Sequence, residues 1–209
     1  MKKQPEVWIV VLAAGFSKRM GKQKLMLPVG RKTLLRRSVK SALRVGDVSG
    51  VVTVLNAAFP MLVEEIKDLP VSIKQNEESY LGMSSSLRKG IEALPSSADA
   101  AAILLADQPG VAWDVVHKVV LEYLKSTPLI TQASYQQTPG HPVIFDKQLF
   151  PQLIGIRGDQ GAKEIIKSYK EERRLVHVTS PIPEDIDTLE DYERIILKRG
   201  LCDATSTNW

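Results

Sequence analysis

The sequence predicts one α/β domain, a mostly parallel sheet flanked by helices with a small antiparallel insertion. Short apolar runs alternate along the chain with amphipathic stretches of helical period, as in repeated strand–helix units. The 209 residues are 44% hydrophobic, which is enough for one sizeable core. Two apolar runs within residues 131–145 lie too close for a helical crossover and predict the antiparallel insertion. We expect residues 1–200 to form this domain and residues 201–209 to be a frayed tail.

Each element follows from its local pattern. Apolar runs predict strands at residues 7–12, 51–55, 71–75, 100–105, 129–134, 142–145 and 175–178. Apolar residues at helical spacing predict helices at residues 32–45, 61–67, 84–94, 113–124, 161–169 and 189–198. Gly46 is expected to end the first helix, and Ser84 or Ser85 to cap the third. The Thr-Pro-Gly sequence at residues 138–140 predicts the turn between the two closely spaced strands.

Composition argues against several classes of protein. The formal net charge is +4 and aromatic residues make up 6%, so the basic, aromatic face of a nucleic-acid binder is not expected. The single cysteine, Cys202, rules out an internal disulfide framework. No apolar run reaches the roughly 18 residues of a membrane span, and residues 1–5 are too short and polar for a signal peptide. We expect a cytoplasmic protein that binds neither membrane nor nucleic acid.

A basic loop follows the first predicted strand. Residues 12–24 read LAAGFSKRMGKQK, in which small residues precede a group of cations. Small residues let backbone N–H groups approach phosphate oxygens and the cations neutralise charge, so the loop is predicted to bind a polyphosphate. It is not a Walker loop, because Gly15 and Gly21 are one residue too far apart and Gln23 follows Lys22. The dinucleotide fingerprint is also absent from it. The alternative is an ordinary solvated basic loop.

Carboxylates lie beyond two other strands, where ligands of parallel α/β sheets bind. Asp107 closely follows the apolar fourth strand, and a carboxylate there is costly unless it is paired or metal-bound. We therefore predict that Asp107 is a magnesium ligand; the alternative is a helix cap or turn residue. Asp185 or Asp187 could supply the second oxygen. Alternate residues of an extended segment point to opposite sides, so only one of the two is expected to face the metal.

The remaining polar residues carry weaker signals. The small and hydroxyl residues at 82–86 could contact a base or ribose, or only cap the helix that begins there. His141, taken alone, is more typical of a structural or exposed position than of a catalytic one. His117 and His177 have no Cys or His partner at zinc-like spacing, so no zinc site is predicted.

Together these segments resemble a known family. Residues 12–21 with Lys24 are similar to the L-A-A-G-x-S-x-R-M-G-x-x-K signature of nucleotidyltransferases related to molybdenum cofactor biosynthesis. The match continues in chain order through Asn76, GMSSSL at 82–87, LADQP at 105–109, GHPV at 140–143, GDQGA at 158–162 and DIDTLED at 185–191. The ordered set most closely resembles molybdenum cofactor cytidylyltransferase, a MobA-like NTP transferase, including the form linked to purine catabolism in bacilli.

The resemblance implies a Rossmann-like GT-A nucleotidyltransferase fold and a Mg²⁺-dependent reaction. CMP would pass from CTP to the terminal phosphate of molybdenum-loaded molybdopterin (Mo-molybdopterin), giving molybdopterin cytosine dinucleotide and pyrophosphate. The product would serve a hydroxylase of the xanthine dehydrogenase type, with transient contact to that recipient molybdoenzyme or its chaperone. The sequence Ala13-Ala14-Gly15 resembles CMP-transferring members, whereas GMP-transferring relatives usually read L-A-G-G.

The resemblance also implies roles for individual residues. Lys24, Arg19 and Asp107 are expected to be catalytic, and Asp107 and Asp187 to hold Mg²⁺. The nucleotide is expected to contact Ala13, Ala14, Gly15, Arg19, Lys24, Asn76, Gly82, Ser85 and Ser86. The acceptor side is expected to comprise Gly140, His141, Pro142, Gly158 and Asp159.

Three positions depart from the family pattern: Lys18 and Pro139 stand where Arg is frequent, and Tyr80 where many members have Trp. The alternatives are a guanylyltransferase that uses GTP and a cytidylyltransferase for another phosphate acceptor. A nucleotide-binding module without catalysis is the alternative from a different class.

Overall fold

The computed structural model describes residues 4–159 and 161–198. The strands in chain order are β1 (Val7–Ala13), β2 (Pro28–Val29), β3 (Lys32–Thr33), β4 (Gly50–Asn56), β5 (Ser72–Asn76), β6 (Ala100–Leu105), β7 (Ile130–Tyr135), β8 (Thr138–Asp146) and β9 (Arg174–Val178). The helices are α1 (Leu34–Leu43), α2 (Met61–Ile66), α3 (Met83–Glu92), α4 (Trp113–Ser126), α5 (Phe150–Gly155), α6 (Lys163–Ser168) and α7 (Leu189–Lys198).

A seven-stranded sheet with the order β5-β4-β1-β6-β8-β7-β9 forms the centre of the molecule. Within this sheet β8 runs antiparallel to both of its neighbours, β6 and β7, and the remaining pairs are parallel. The predicted mostly parallel sheet with a small antiparallel insertion is therefore confirmed. The hairpin of β7 and β8 folds back, so that β8 lies between β6 and β7.

Helices pack on both faces because the central strands are apolar on both sides. Ile9 and Val11 of β1 belong to the core that β1 shares with α1, α2 and α4. Val10 and Leu12 of the same strand belong to the opposite core, which includes residues of α3, α5 and α6. The alternating directions of side chains along one strand thus serve two cores.

The turn of the inserted hairpin differs from the prediction. Gln136 and Gln137 form it, whereas residues 138–140 belong to β8 and pair with β7. Both glutamines have positive φ, 48° and 73°, the sign that a type I′ turn requires at its two central residues. Such turns favour Asn and Gly, so two glutamines do not predict a turn at this position.

Several boundaries and short elements also differ. α3 begins at Met83 after Gly82, and neither Ser84 nor Ser85 caps it, because both lie inside the helix. α1 begins two residues later than predicted, directly after Thr33, whose side chain caps it. The β2–β3 hairpin and α5 were not predicted, since elements of two to six residues are too short to show a period.

The predicted tail at residues 201–209, with Cys202, lies outside the described residues. Across residues 4–159 and 161–198 the structure contains no helix long and apolar enough to cross a membrane. The expected cytoplasmic location stays a prediction.

A glycine allows α3 to pack closely on the sheet. A Cβ at Gly90 would overlap the side chain of Val10 in β1 and lie 3.3 Å from Val54 Cγ2 in β4. Both valines are fully buried, so little room exists for them to shift. This contact sets the distance between α3 and the strands that lead to the candidate site.

We expect Gly90→Ala to lower the free energy of unfolding by about 1–3 kcal/mol, because the added methyl overpacks a closed core. Gly155→Ala is the matched control, since a Cβ at Gly155 meets nothing within 4 Å. Urea unfolding of both variants measures the difference. Equal stability of the two variants would contradict the close packing described at Gly90.

Candidate active site

Four charged side chains meet beyond the carboxyl ends of β1 and β6. The ammonium of Lys24 donates to Asp107 Oδ2 at 2.8 Å and to Asp187 Oδ1 at 3.0 Å. Arg19 donates to Asp187 Oδ2 at 2.9 Å. Lys24 lies 83 positions from Asp107 and 163 from Asp187 in the sequence. The structure thus brings the predicted catalytic and metal-binding residues into one cluster.

Backbone hydrogen bonds align the segments that carry this cluster. The N–H of Ala106 donates to the carbonyl of Leu12 at 3.0 Å, which holds the end of β6 beside the end of β1. The N–H of Ile186 donates to the carbonyl of Asp107 at 3.0 Å, which brings in the segment before α7. Asp191 in α7 then accepts from the N–H groups of Asp187 and Thr188. The carboxylates are therefore positioned by the backbone as well as by Lys24.

Lys24 is a buried cation at an accessible edge. Its side chain is 9% exposed, whereas the side chains of Asp187 and Arg19 are 44% and 73% exposed. Burial by itself would lower the pKa of Lys24, but the charges and hydrogen bonds of Asp107 and Asp187 outweigh burial and raise it. Lys24 is consequently protonated at neutral pH, and the exposed Arg19 shares Asp187 with it.

Asp185 and Asp187 point to different partners, as alternate residues of an extended segment should. Asp187 binds Lys24, whereas Asp185 accepts from Gln108 Nε2 at 2.7 Å. Burial raises the pKa of Asp185, and the nearby charges of Asp107 and Asp187 add to that rise. The carboxylate that shares Lys24 with Asp107 is therefore that of Asp187.

Ser17 and Gln23 hold the basic loop in shape, a role that sequence reasoning did not find. Ser17 Oγ donates to Gln23 Oε1 at 3.0 Å and accepts from the N–H of Lys24 at 3.1 Å. Gln23 Nε2 donates to the carbonyl of Gly15 at 3.4 Å. Ser17 and Gly21 both have left-handed backbone, with φ of 54° and 64°, which keeps the loop compact. These bonds place Lys24 under the loop.

Asn56 supports the start of the same loop and was also missed. It is buried at the end of β4, and its Nδ2 donates to the carbonyl of Ala14 at 3.1 Å. Ala13 and Ala14 are buried, whereas Gly15 is exposed with open space around its missing Cβ. The sequence did contain a signal for Asn56. Like Asp107, Asn56 is a polar residue at the end of an apolar strand, where ligands of such sheets bind.

Asn76, which is predicted to contact the nucleotide, lies at the end of β5. It is fully buried, and its Nδ2 donates to Ser85 Oγ at 2.9 Å and to Ser86 Oγ at 3.1 Å. Its Oδ1 accepts from the N–H of Glu78 at 3.0 Å. Both of its donors are used within the fold, and Ser85 and Ser86 are buried as well, so the expected contact of these three residues with a nucleotide stays a prediction. In this structure Asn76 positions the two serines at the start of α3.

Asp159 caps α3 from a distant segment. Its Oδ1 accepts from the N–H of Met83 at 3.1 Å, and the carbonyl of Gly158 accepts from the N–H of Ser84 at 3.3 Å. Gly82 has φ of 91°, and a Cβ there would lie 2.7 Å from Asp159 Oδ1. The predicted acceptor residues Gly158 and Asp159 therefore adjoin the predicted nucleotide residue Gly82.

The other predicted acceptor residues lie in β8. Tyr135 OH donates to the carbonyl of His141 at 2.6 Å, and a Cβ at Gly140 would lie 3.1 Å from the Tyr135 ring. The peptide bond between His141 and Pro142 is cis. Burial lowers the pKa of His141 to about 4, although the charge of Asp107 opposes this shift. His141 is thus a neutral imidazole at pH 7, within electrostatic reach of the charged cluster.

The lowered pKa of His141 should appear in the pH dependence of stability. Between pH 6.5 and about pH 4 the unfolded chain binds a proton at this residue that the folded chain does not. Stability is therefore lost as the pH falls through this range. Wild type should therefore lose more unfolding free energy between pH 7 and pH 5 than His141→Gln does. We expect the difference to be about 1 kcal/mol, a figure that allows for the partial exposure of the His141 side chain.

Denaturant unfolding at pH 7, 6 and 5 makes this measurement. His177→Gln is the control, because His177 is an exposed residue of β9. A His141→Gln variant that loses as much stability as wild type on acidification would show that His141 is not held neutral by the fold.

The charged cluster has the composition of a site for a divalent metal that arrives with phosphates. In the described part of the chain, no group of three or more His, Cys, Asp and Glu residues is arranged to hold a metal. Asp107 and Asp187 offer two carboxylates, and Mg²⁺ usually takes one or two carboxylates together with substrate phosphates and water. The residues present therefore fit a metal of this kind.

Comparison with known proteins agrees with this arrangement. "Purine catabolism protein PucB" of Bacillus subtilis (strain 168) is 30% identical over 195 residues, which cover 89% of this chain and 94% of PucB. "Nicotine blue oxidoreductase" of Paenarthrobacter nicotinovorans is 29% identical over 202 residues, which cover 92% of this chain and 97% of that protein.

Solved structures share the fold. The crystal structure of an Rv0371c homologue from Mycobacterium sp. strain JC1 has a TM-score of 0.85 at 29% identity, covering 94% of this chain and 98% of that one. Rv0371c of Mycobacterium tuberculosis in complex with manganese has a TM-score of 0.79 at 25% identity, covering 92% and 98%. A nucleotidyl transferase from Methanothermobacter has a TM-score of 0.75 at 22% identity, covering 93% and 99%, which shows the fold alone.

The expected Rossmann-like nucleotidyltransferase fold is therefore confirmed. Residues 9–174, which include β1, the basic loop and Asp107, match the family described as "MobA-like NTP transferase domain". The family match supports nucleotidyltransferase activity. The chain belongs to the MobA-like NTP transferase family.

Proposed function

We propose that this nucleotidyltransferase transfers CMP from CTP to the terminal phosphate of Mo-molybdopterin. The observation that carries the proposal is the buried ammonium of Lys24 between Asp107 and Asp187. A cation beside two carboxylates suits a triphosphate and the divalent metal that accompanies it. The name of PucB refers to purine catabolism, which supports a product that serves a hydroxylase of the xanthine dehydrogenase type.

In the proposed reaction, a phosphate oxygen of the acceptor attacks the α-phosphorus of CTP. The bond from that phosphorus to the oxygen bridging the β-phosphate breaks, and pyrophosphate leaves with the electron pair of the bond. Gly15, the loop after it and Arg19 hold the β- and γ-phosphates. Lys24 moves from its carboxylates to an α-phosphate oxygen, where it neutralises the charge that builds up during attack.

Asp107 and Asp187 are the residues proposed to hold the metal, which we take to be Mg²⁺. When bound, such a metal would neutralise negative charge on the phosphates. The shift of Lys24 to the phosphate releases Asp107 Oδ2 and Asp187 Oδ1, which it binds in the structure. The manganese complex of Rv0371c supports a divalent metal in this fold.

The base and the acceptor are proposed to bind on the two sides of the start of α3. Ser85 and Ser86, held by Asn76, would face the base. Ala14, which stands where GMP-transferring relatives usually carry Gly, is the residue proposed to select cytosine over guanine. Residues 140–142 and 158–159 would contact the acceptor. Because Asp159 caps α3, the proposed acceptor side directly adjoins the proposed nucleotide side. Transfer of the product would involve a transient contact with the recipient molybdoenzyme or its chaperone.

Lys24→Met tests the central residue. We expect kcat/KM for CTP to fall about 10²- to 10³-fold, because a preorganised cation that stabilises the transition state is lost. Lys67→Met is the control, since it removes the same charge from an exposed ion pair at the end of α2. Steady-state release of pyrophosphate measures both variants, and circular dichroism confirms folding. A Lys24→Met rate within threefold of wild type would overturn the assignment.

Product analysis tests the substrates. With CTP, Mg²⁺ and Mo-molybdopterin we expect molybdopterin cytosine dinucleotide and one pyrophosphate per product, with none formed when the metal is chelated. Because the proposed contacts favour cytosine, GTP should give at least tenfold less product. Mass spectrometry identifies the dinucleotide.

Each contrary result points to a specific alternative. Faster turnover of GTP would make the chain a guanylyltransferase, and turnover only with sugar or polyol phosphates would change the acceptor. Nucleotide binding without pyrophosphate release would indicate a catalytically inactive module. Reduction of nicotine blue, the activity in the name of one relative, would point to a different chemistry altogether.

A further inference from the structure

A second basic site lies beside the candidate active site. A cavity of about 220 Å³ opens between α1, the segment that follows β6 and the first turn of α4. Lys32, just before α1, lines it together with Arg37 and Lys40 of α1. The hydroxyl-bearing residues Ser38 and Ser41 of α1 also line it. None of these residues belongs to the cluster around Lys24.

The cavity has an excess of positive charge. Three cations line it against one carboxylate, that of Asp114. The pKa of Lys32 is lowered, first by partial burial and then by the positive charges of Lys40, Arg37, Arg36 and Arg44. Such mutual repulsion is a cost in the free protein that a bound anion would relieve.

One wall of the cavity is apolar and well supported. Trp113 lines the cavity, and the guanidinium of Arg44 lies 4.9 Å from the centroid of its indole ring. This contact is a cation–π interaction that restrains the ring. Leu104 and Val111 complete that wall. The basic residues therefore surround a defined concave space and do not merely form a charged helix face.

The size of the cavity restricts what it can hold. Sites for drug-sized ligands are usually about 300–1,000 Å³, so a whole nucleotide would fill more than this space. Lysine and arginine side chains with serine hydroxyls are the donors that phosphate oxygens accept. We propose that the cavity binds a small oxyanion of the phosphate class, such as inorganic phosphate or pyrophosphate, separately from the triphosphate site around Lys24.

The two sites share one loop. Gln108 and Pro109 line the cavity and directly follow Asp107. Gln108 also donates to Asp185, two residues before Asp187. An anion bound in the cavity would therefore adjoin the segment that carries Asp107. The binding proposal itself stands on the cavity and its charges, whether or not the proposed reaction is correct.

Calorimetric titration with pyrophosphate tests the proposal, in the Lys24→Met background so that the candidate active site contributes little. We expect one site per chain, with Kd raised at least tenfold when Lys32→Gln and Lys40→Gln are added. Lys67→Gln with Lys125→Gln is the control pair, because it removes the same charge from exposed ion pairs elsewhere. This control should leave Kd within twofold of the Lys24→Met value at the same ionic strength.

Two results would overturn the proposal. One is equal binding of pyrophosphate by the cavity variant and the control variant. The other is that neither pyrophosphate nor inorganic phosphate binds in the Lys24→Met background. If the double change in the cavity impairs folding, Lys40→Gln alone is used, with an expected rise in Kd of about threefold. Because the measurement is binding in a Lys24→Met chain, it is independent of whether CTP is the substrate of the wild-type protein.

Discussion

The interaction on which the site depends is that of one ammonium with two carboxylates. Lys24 comes from the loop after β1, Asp107 from the end of β6 and Asp187 from the segment before α7. Without the cation, two carboxylates would face each other at a partly buried edge, which is costly. Lys24 therefore stabilises the fold locally and, in the proposed reaction, also supplies charge to the phosphate. Lys24 thus has a structural role between the strand ends and a proposed role in the reaction.

Buried amides form a second layer beneath this ion cluster. Asn56 and Asn76 are paired in register at the ends of β4 and β5. Asn56 holds the carbonyl of Ala14 under the basic loop, and Asn76 holds the serines that begin α3. Neither amide faces solvent, so their contribution is to orient backbone and hydroxyl groups for a ligand. This support explains how a loop of small residues keeps a defined shape.

The prediction succeeded where a signal was local and strong. All seven strands of the main sheet were predicted, most of them from apolar runs, because burying such runs is favourable in almost any arrangement. Asp107 was singled out because a carboxylate beside a buried strand needs a partner. Lys24 was singled out because it belongs to the basic loop and to the family signature. The capping of α3 by Asp159 was missed, since the two segments lie 76 positions apart. The hairpin turn at Gln136 and Gln137 was missed because tertiary pairing overrides their weak turn preference.

The sequence by itself determined the alternation of strands and helices, the basic loop and the carboxylates at strand ends. Those features depend on hydrophobic period and residue chemistry, which are read along the chain. The tertiary structure alone decided that Asp187 and not Asp185 meets Lys24, and that Asn76 points inward. It also decided that the cations of α1 surround a cavity beside Trp113. These outcomes depend on which distant segments pack together. Such packing involves many residues at once and leaves no periodic pattern in the sequence from which it could be predicted.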